Sequence, residues 1–199
     1  MTVHAIYMLV ALITLRGVRF ESRVCPDEPF CQTVLIAARD QSPLIVPFEL
    51  GEGRHTSLDL LPVQLPGDAG YAVVVVAAQP GGSDVRFEST IISLENENPR
   101  ELIAHLQSTS QDALCIGAYA GESSVLLVSF IWGDETHYDP HRYRLTRFAW
   151  DGEAFVQRRV RETEKRYSSW QEGAASLGYR CETNLIEATV GAMRWLTTR

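Results

Sequence analysis

Lysine is almost missing from this chain. Lys165 is the only one among 18 basic residues, and the remainder are arginines. Positive charge is scarce overall, with a formal net charge of −7. Nucleic-acid binding rests on phosphate neutralisation by a basic excess, so this balance excludes it as the expected role. A long apolar span is missing too. The apolar stretch at residues 5–15, AIYMLVALITL, is too short to cross a bilayer as a helix, which takes ~20 residues. No transmembrane span is expected.

Catalytic signatures are also absent. Ser123 and Ser124 stand in no Gly-x-Ser-x-Gly elbow. Gly51, Gly53 and the Gly81-Gly82 pair lack the strand-to-helix context of a phosphate loop. The carboxylates Asp27-Glu28 and Glu95 with Glu97 have nothing opposite them across a cleft, as glycoside hydrolysis would require. The sequence therefore leans away from an enzyme.

What is present is a globular balance. Hydrophobic residues make up 45% and charged residues 22%, which argues against general disorder. The apolar segments read mostly as strands. Val73 to Val76 are four consecutive β-branched residues and fit a buried central strand. Pro47 demotes the strand at 44–50 to an edge or a bulge. Asp151-Gly152 between two apolar-containing runs signals a hairpin. A two-residue loop there sets Trp150 against Glu153, Phe148 against Phe155, and Arg144 against Arg159. Three times an apolar run is followed by a turn and a second strand: TVLIAA with LIVPFEL, YAVVVVAA with VRFESTIISL, and SVLLVSFIW with RYRLTRFAW.

Two helices are expected. Asn98-Pro99-Arg100-Glu101 has the cap pattern of a helix over 99–107, with Leu102, Ile103 and Leu106 as its apolar stripe. Asn184 with Glu187 repeats the pattern for a C-terminal helix over 185–196. Residues 173–178 read as loop. The fold class is mainly β, as an antiparallel meander, a sandwich or a small propeller-like or barrel-like sheet array, with one short internal helix and a C-terminal helix. Residues 1–22 form a hydrophobic N-terminal segment and 23–199 a single β-rich domain.

Four cysteines, Cys25, Cys31, Cys115 and Cys181, are an even count that fits two disulfides. Cys25 and Cys31 are close enough for a local bridge. The competing reading leaves all four as thiols, with Cys115 as a small core residue. Disulfides together with a signal-like segment at 5–15 point to an extracytoplasmic protein, periplasmic or secreted. Against this, no basic residue precedes the segment and no small-x-small cleavage site follows it. The alternative is a cytoplasmic chain whose first buried element is that segment.

Two stretches offer binding chemistry. The loop at 134–141 gathers Asp134, Asp139, His137 and His141, a donor set for zinc or calcium. Pro140 disfavours a shared helix face for the two histidines, and the competing reading is a solvated connection. No other cofactor is expected. The second stretch is basic: eight of the 18 basic residues lie between Arg142 and Arg166. Arg144, Arg159 and Arg161 are the residues expected to meet an acidic ligand or another protein, unless internal carboxylates neutralise them. The function expected is thus an exported β-rich protein with a non-enzymatic binding or structural role, inhibitor- or immunity-like roles included. The alternative is a metal-binding hydrolase or carbohydrate-binding module built on the 134–141 loop.

Overall fold

The computed structural model describes residues 12–24, 31–38, 42–49, 57–65, 69–80, 85–95, 98–119, 122–136 and 138–187. These form three antiparallel meanders. The first sheet runs β1 (Leu12–Leu15), β2 (Val18–Val24), β3 (Cys31–Ala37) and β4 (Leu44–Glu49), paired in that order. The second runs β5 (Ser57–Gln64), β6 (Tyr71–Pro80), β7 (Val85–Ser93) and β8 (Arg100–Thr109), again in chain order. The third contains β9 (Ala113–Tyr119), β10 (Glu122–Ile131), β11 (Arg142–Trp150) and β12 (Phe155–Glu162). A helix, α1 (Trp170–Ser176), then leads to β13 (Tyr179–Asn184), which joins the third sheet beside β9. Each of the three sequence repeats thus supplies two adjacent strands of one sheet.

The sheets stack because β6 is apolar on both faces. Val73, Val75 and Ala77 pack with Val18, Phe20, Ile36, Val46 and Phe48 of the first sheet. Ala72, Val74, Val76 and Ala78 pack with Leu114, Ile116, Val125 and Phe155 of the third. The four valines are at most 2% exposed, and full burial of such a side chain is worth roughly 1.5–3 kcal/mol. The far face of the third sheet holds a separate cluster of Cys115, Leu126, Val128, Tyr143 and Leu145, covered in part by Ala174 of α1.

Several local expectations change. Residues 99–107 are strand, not helix. β8 pairs with β7 from Arg86 opposite Thr109 to Ser93 opposite Arg100. Two bulges explain the misleading pattern. Ser89 faces Leu106 and Ile91 faces Ile103, so Thr90 meets two residues; Ile92 then faces Glu101, leaving Leu102 extra. Such insertions break the period of two and let Leu102, Ile103 and Leu106 all be buried, which mimics a helical stripe. Conversely, 173–176 belong to α1. Ser169 caps it by accepting from the Glu172 N–H, while the Glu172 carboxylate accepts from Ser168 N–H, a variant of the capping box.

The Asp151 hairpin has a four-residue loop. Trp150 pairs with Phe155, and Asp151 N–H donates to the Ala154 carbonyl at 3.1 Å. The Asp151 carboxylate accepts from the Glu153 and Ala154 N–H groups. These bonds favour its ionised form and hold its pKa below the ordinary value. Together with a bulge at Arg147–Phe148, the loop resets the register. Arg144 faces Glu162, Arg147 faces Arg159, and Phe148 faces Gln157.

Two other expectations, the edge position of the strand with Pro47 and the Asn184 cap, stand. β4, with Pro47, is an edge strand. Asn184 caps the turn at 185–187 through the Ile186 N–H; the remainder of the expected C-terminal helix lies outside the described residues. The last four residues of the 5–15 stretch form β1. A two-residue turn, Arg16-Gly17, with both φ values positive, joins it to β2, as a type I′ turn requires.

Candidate anion-binding face

The far face of the third sheet carries the most concentrated polar chemistry among the described residues. Strand register builds it. Directly opposed residues share a face, so Arg159, Arg147, Leu126 and Cys115 form one row across β12, β11, β10 and β9. Glu122, Tyr119 and Tyr179 form another row across β10, β9 and β13. α1 covers the opposite end of this face, where Gly173 sits against the Tyr143 ring.

Two devices press β13 onto β9. Cys115 and Cys181 are joined by a disulfide with their Cα atoms 5.4 Å apart. Cys115 is therefore not a free core thiol. Gly117 lies so close to β13 that a Cβ would meet the Arg180 carbonyl oxygen at 2.0 Å. This approach brings Tyr179 onto Tyr119 in a stack with ring centroids 4.6 Å apart. Cys25 lies outside the described residues, as does the side chain of Cys31.

Arg147 is only 8% exposed. Its Nε donates to Ser124 Oγ at 2.8 Å, Nη2 donates to the Glu122 carboxylate, and its guanidinium lies 4.9 Å from the Tyr119 ring centroid. Burial of that charge is thus compensated by a carboxylate, a hydroxyl and a π-face. The arginines expected to bind a partner divide. Arg144 is neutralised by Glu162 at 2.8 Å. Arg159 and Arg161 take part in no ion pair among the described residues. Arg159 donates to the Tyr119 hydroxyl at 3.5 Å, and Arg161 donates to the Leu177 carbonyl at 3.2 Å. Both guanidiniums are oriented while their charge stays unspent.

Tyr179, on β13, is 3% exposed, and its hydroxyl is buried without a hydrogen-bond partner. Burial pushes its pKa above 10.0; Tyr119 adds to that, while Arg159, Arg161 and Arg147 oppose it. The hydroxyl is therefore held as a neutral donor beside three cations. An oxyanion supplies the countercharge that Arg159 and Arg161 lack.

The metal-loop residues have other surroundings. Asp139 Oδ2 accepts from both the N–H and the hydroxyl of Thr136, at 2.8 Å each. Those two bonds hold its carboxyl below the ordinary range. His141 is 2% exposed and stacks on Phe130 with ring centroids 4.5 Å apart. Both of its ring nitrogens are without a protein partner. Asp134 is exposed, and His137 lies outside the described residues. Among the described residues no group of three or more His, Cys, Asp or Glu side chains could hold a metal ion.

Compared with family models, curated proteins and solved structures, the chain matches none. The geometry alone carries the functional reading. Sequence inspection picks out Arg159 and Arg161 but not Tyr119, Glu122, Arg147 or Tyr179 as their companions. The available signal was the placement of Tyr119 and Tyr179 near Cys115 and Cys181: a bridge between the two cysteines brings their strands together.

Proposed function

We propose that this is an extracytoplasmic, disulfide-braced β-protein that acts without catalysis, by binding an acidic partner on the far face of its third sheet. One observation carries the reading: Arg159 and Arg161 are oriented but unneutralised beside the unpartnered hydroxyl of Tyr179. A solvated arginine surface intended only for solubility needs no buried donor near its charges. The Cys115–Cys181 bond supports the oxidising compartment, because structural disulfides persist there and are rare in reducing cytoplasm. Export is compatible with an intact first sheet when any removed segment ends before Leu12, since β1 and β2 pair from Leu12 opposite Glu21 to Leu15 opposite Val18.

The test is binding of labelled poly-glutamate to the oxidised full-length protein at low and at high salt. Binding that weakens with salt and is lost in the Arg159→Glu, Arg161→Glu double variant is expected. No binding by the folded, oxidised protein overturns the reading. Cell fractionation with alkylation under non-reducing conditions tests the compartment: the protein is expected outside the cytoplasm with Cys115 and Cys181 blocked.

A further inference from the structure

We propose that the acidic partner binds as an added β-strand on the β12 edge, presenting carboxylates at alternate positions. This rests on the anion-binding reading above and specifies how the partner is held. β12 is the terminal strand of the third sheet, in the order β12-β11-β10-β9-β13. One side of its backbone therefore has no strand partner among the described residues. Gln157, Arg158, Arg159 and Val160 are all exposed along it. Beyond the bulge, Arg159 and Arg161 lie on one face, opposite Arg147 and Leu145. Val160 points to the other face and is 47% exposed.

Two arginines two residues apart on a strand are spaced by roughly 7 Å. An incoming strand repeats the same spacing, because directly opposed residues in a ladder share a face. Acidic residues at positions i and i+2 would then meet Arg159 and Arg161 together once those side chains turn outward from the Tyr119 hydroxyl and the Leu177 carbonyl, while backbone hydrogen bonds supply affinity that does not depend on sequence. The intervening side chains would cover Val160. The charge pattern also selects against the wrong partner. A second β12 brought to the same edge would set arginine against arginine, so the edge repels its own copy and accepts an acidic strand.

The experiment uses oxidised full-length protein and three probes: a short peptide of alternating threonine and glutamate, a peptide of the same composition in which glutamates and threonines alternate in pairs so that no two glutamates stand at i and i+2, and inorganic phosphate. Affinity is read by fluorescence anisotropy, or by competition for phosphate. Backbone pairing is read by amide hydrogen exchange over 155–162. The alternating peptide is expected to bind roughly tenfold tighter than the one alternating in pairs, since two matched charge pairs are each worth a few-fold, and to slow exchange in β12. Backbone N-methylation of the peptide is expected to abolish binding. The Arg159→Glu, Arg161→Glu variant is expected to prefer an alternating threonine–lysine peptide, while Arg144→Ala, at a charge already neutralised, binds as the parent does.

Equal affinity for the two acidic peptides, with no protection of 155–162, overturns strand addition while leaving the anion-binding face standing. Phosphate competing as well as the alternating peptide does the same and reduces the site to a simple oxyanion pocket. Failure of every acidic probe removes both readings. If the double variant does not fold, the N-methylated peptide on the parent protein decides the matter alone.

Discussion

The side chains of His105 on β8 and Glu88 on β7 meet between these adjacent strands of the second sheet, with Nδ1 2.6 Å from Oε1. The contact depends on a bulge that holds His105 at φ +51°, a left-handed conformation that residues other than glycine rarely adopt. Glu88 is 5% exposed, and its second carboxylate oxygen is buried without a partner. The imidazole is therefore the neighbour that offsets burial of this carboxylate. His105→Ala is expected to destabilise the protein by about 1–3 kcal/mol, the cost of leaving a buried group unpartnered. His105→Gly loses the same partner but relieves the backbone, so it is expected to be more stable than His105→Ala by about 1 kcal/mol. In an ordinary strand that order is reversed. Urea unfolding midpoints of the two variants check it, and an alanine variant as stable as the glycine one would remove strain from the account.

The Cys115–Cys181 bond closes a separation of 66 residues. By chain entropy alone such a link contributes roughly 4 kcal/mol, at the upper end of what is usually measured. Reduction is expected to lower the urea midpoint accordingly and to expose the stacked rings of Tyr119 and Tyr179. It should also weaken poly-glutamate binding, because Tyr179 sits on the strand that the bond secures. Tyrosine fluorescence and anisotropy, each measured with and without a phosphine reductant, separate the two effects. Unchanged binding after full reduction would mean that β13 is held by its backbone pairing and ring stack.

Gly117 tests the same junction without redox chemistry. A methyl group there meets the Arg180 backbone oxygen rather than a flexible side chain, so β13 must move. Gly117→Ala is expected to cost on the order of 2 kcal/mol, in the range of overpacked core positions. Amide exchange is expected to accelerate in 179–184 more than in β10 or β11. A variant with parental exchange rates in β13 would show that the strand accommodates the shift.

Where local chemistry and tertiary pairing agreed, the fold was legible in the sequence. Val73 to Val76 read as a doubly covered strand because β-branching and unbroken hydrophobicity both demand one. Asn184 caps its turn at the point where β13 ends. The failures have a common cause. Asn98 to Glu101 carry good helix-start chemistry, worth about 1 kcal/mol, whereas pairing with β7 engages the whole of β8. The bulges at Leu102 and His105 then disguised the strand as a helix. A two-residue turn at Asp151 would shift every cross-strand partner from the register observed. That turn matches Arg144 to Arg159, whereas the four-residue loop gives Arg144 to Glu162 and leaves Arg159 opposite Arg147. Tyr119 and Tyr179 met through the placement of β13, which no local pattern encodes.

Asp59 gives a pH test with a definite sign. It lies on β5 opposite Val76, and its Oδ2 is buried without a partner. Burial raises its pKa above the ordinary 3.8. The native state therefore holds this proton more tightly than the unfolded chain does. As pH rises from 3.8 through the raised native value, the unfolded chain releases the proton first, and stability falls by the linkage relation. The penalty persists at neutral pH, where the carboxylate is ionised in both states. Asp139 and Asp151 have the opposite sign: their lowered pKa values stabilise the fold above 3.8, and that contribution is lost as pH falls through the native values. Asp59→Asn removes only the penalised charge. It is expected to raise the melting temperature at pH 7 by less than the roughly 2–4 °C that a full 1 kcal/mol gives a chain of this size, because solvent screens a half-buried carboxylate. The gain should vanish at about pH 3, where the parent carboxyl is already protonated in both states. Thermal melts of parent and variant at the two pH values check it. An equal shift at both would assign the effect to packing or hydrogen bonding of the amide rather than to the buried charge.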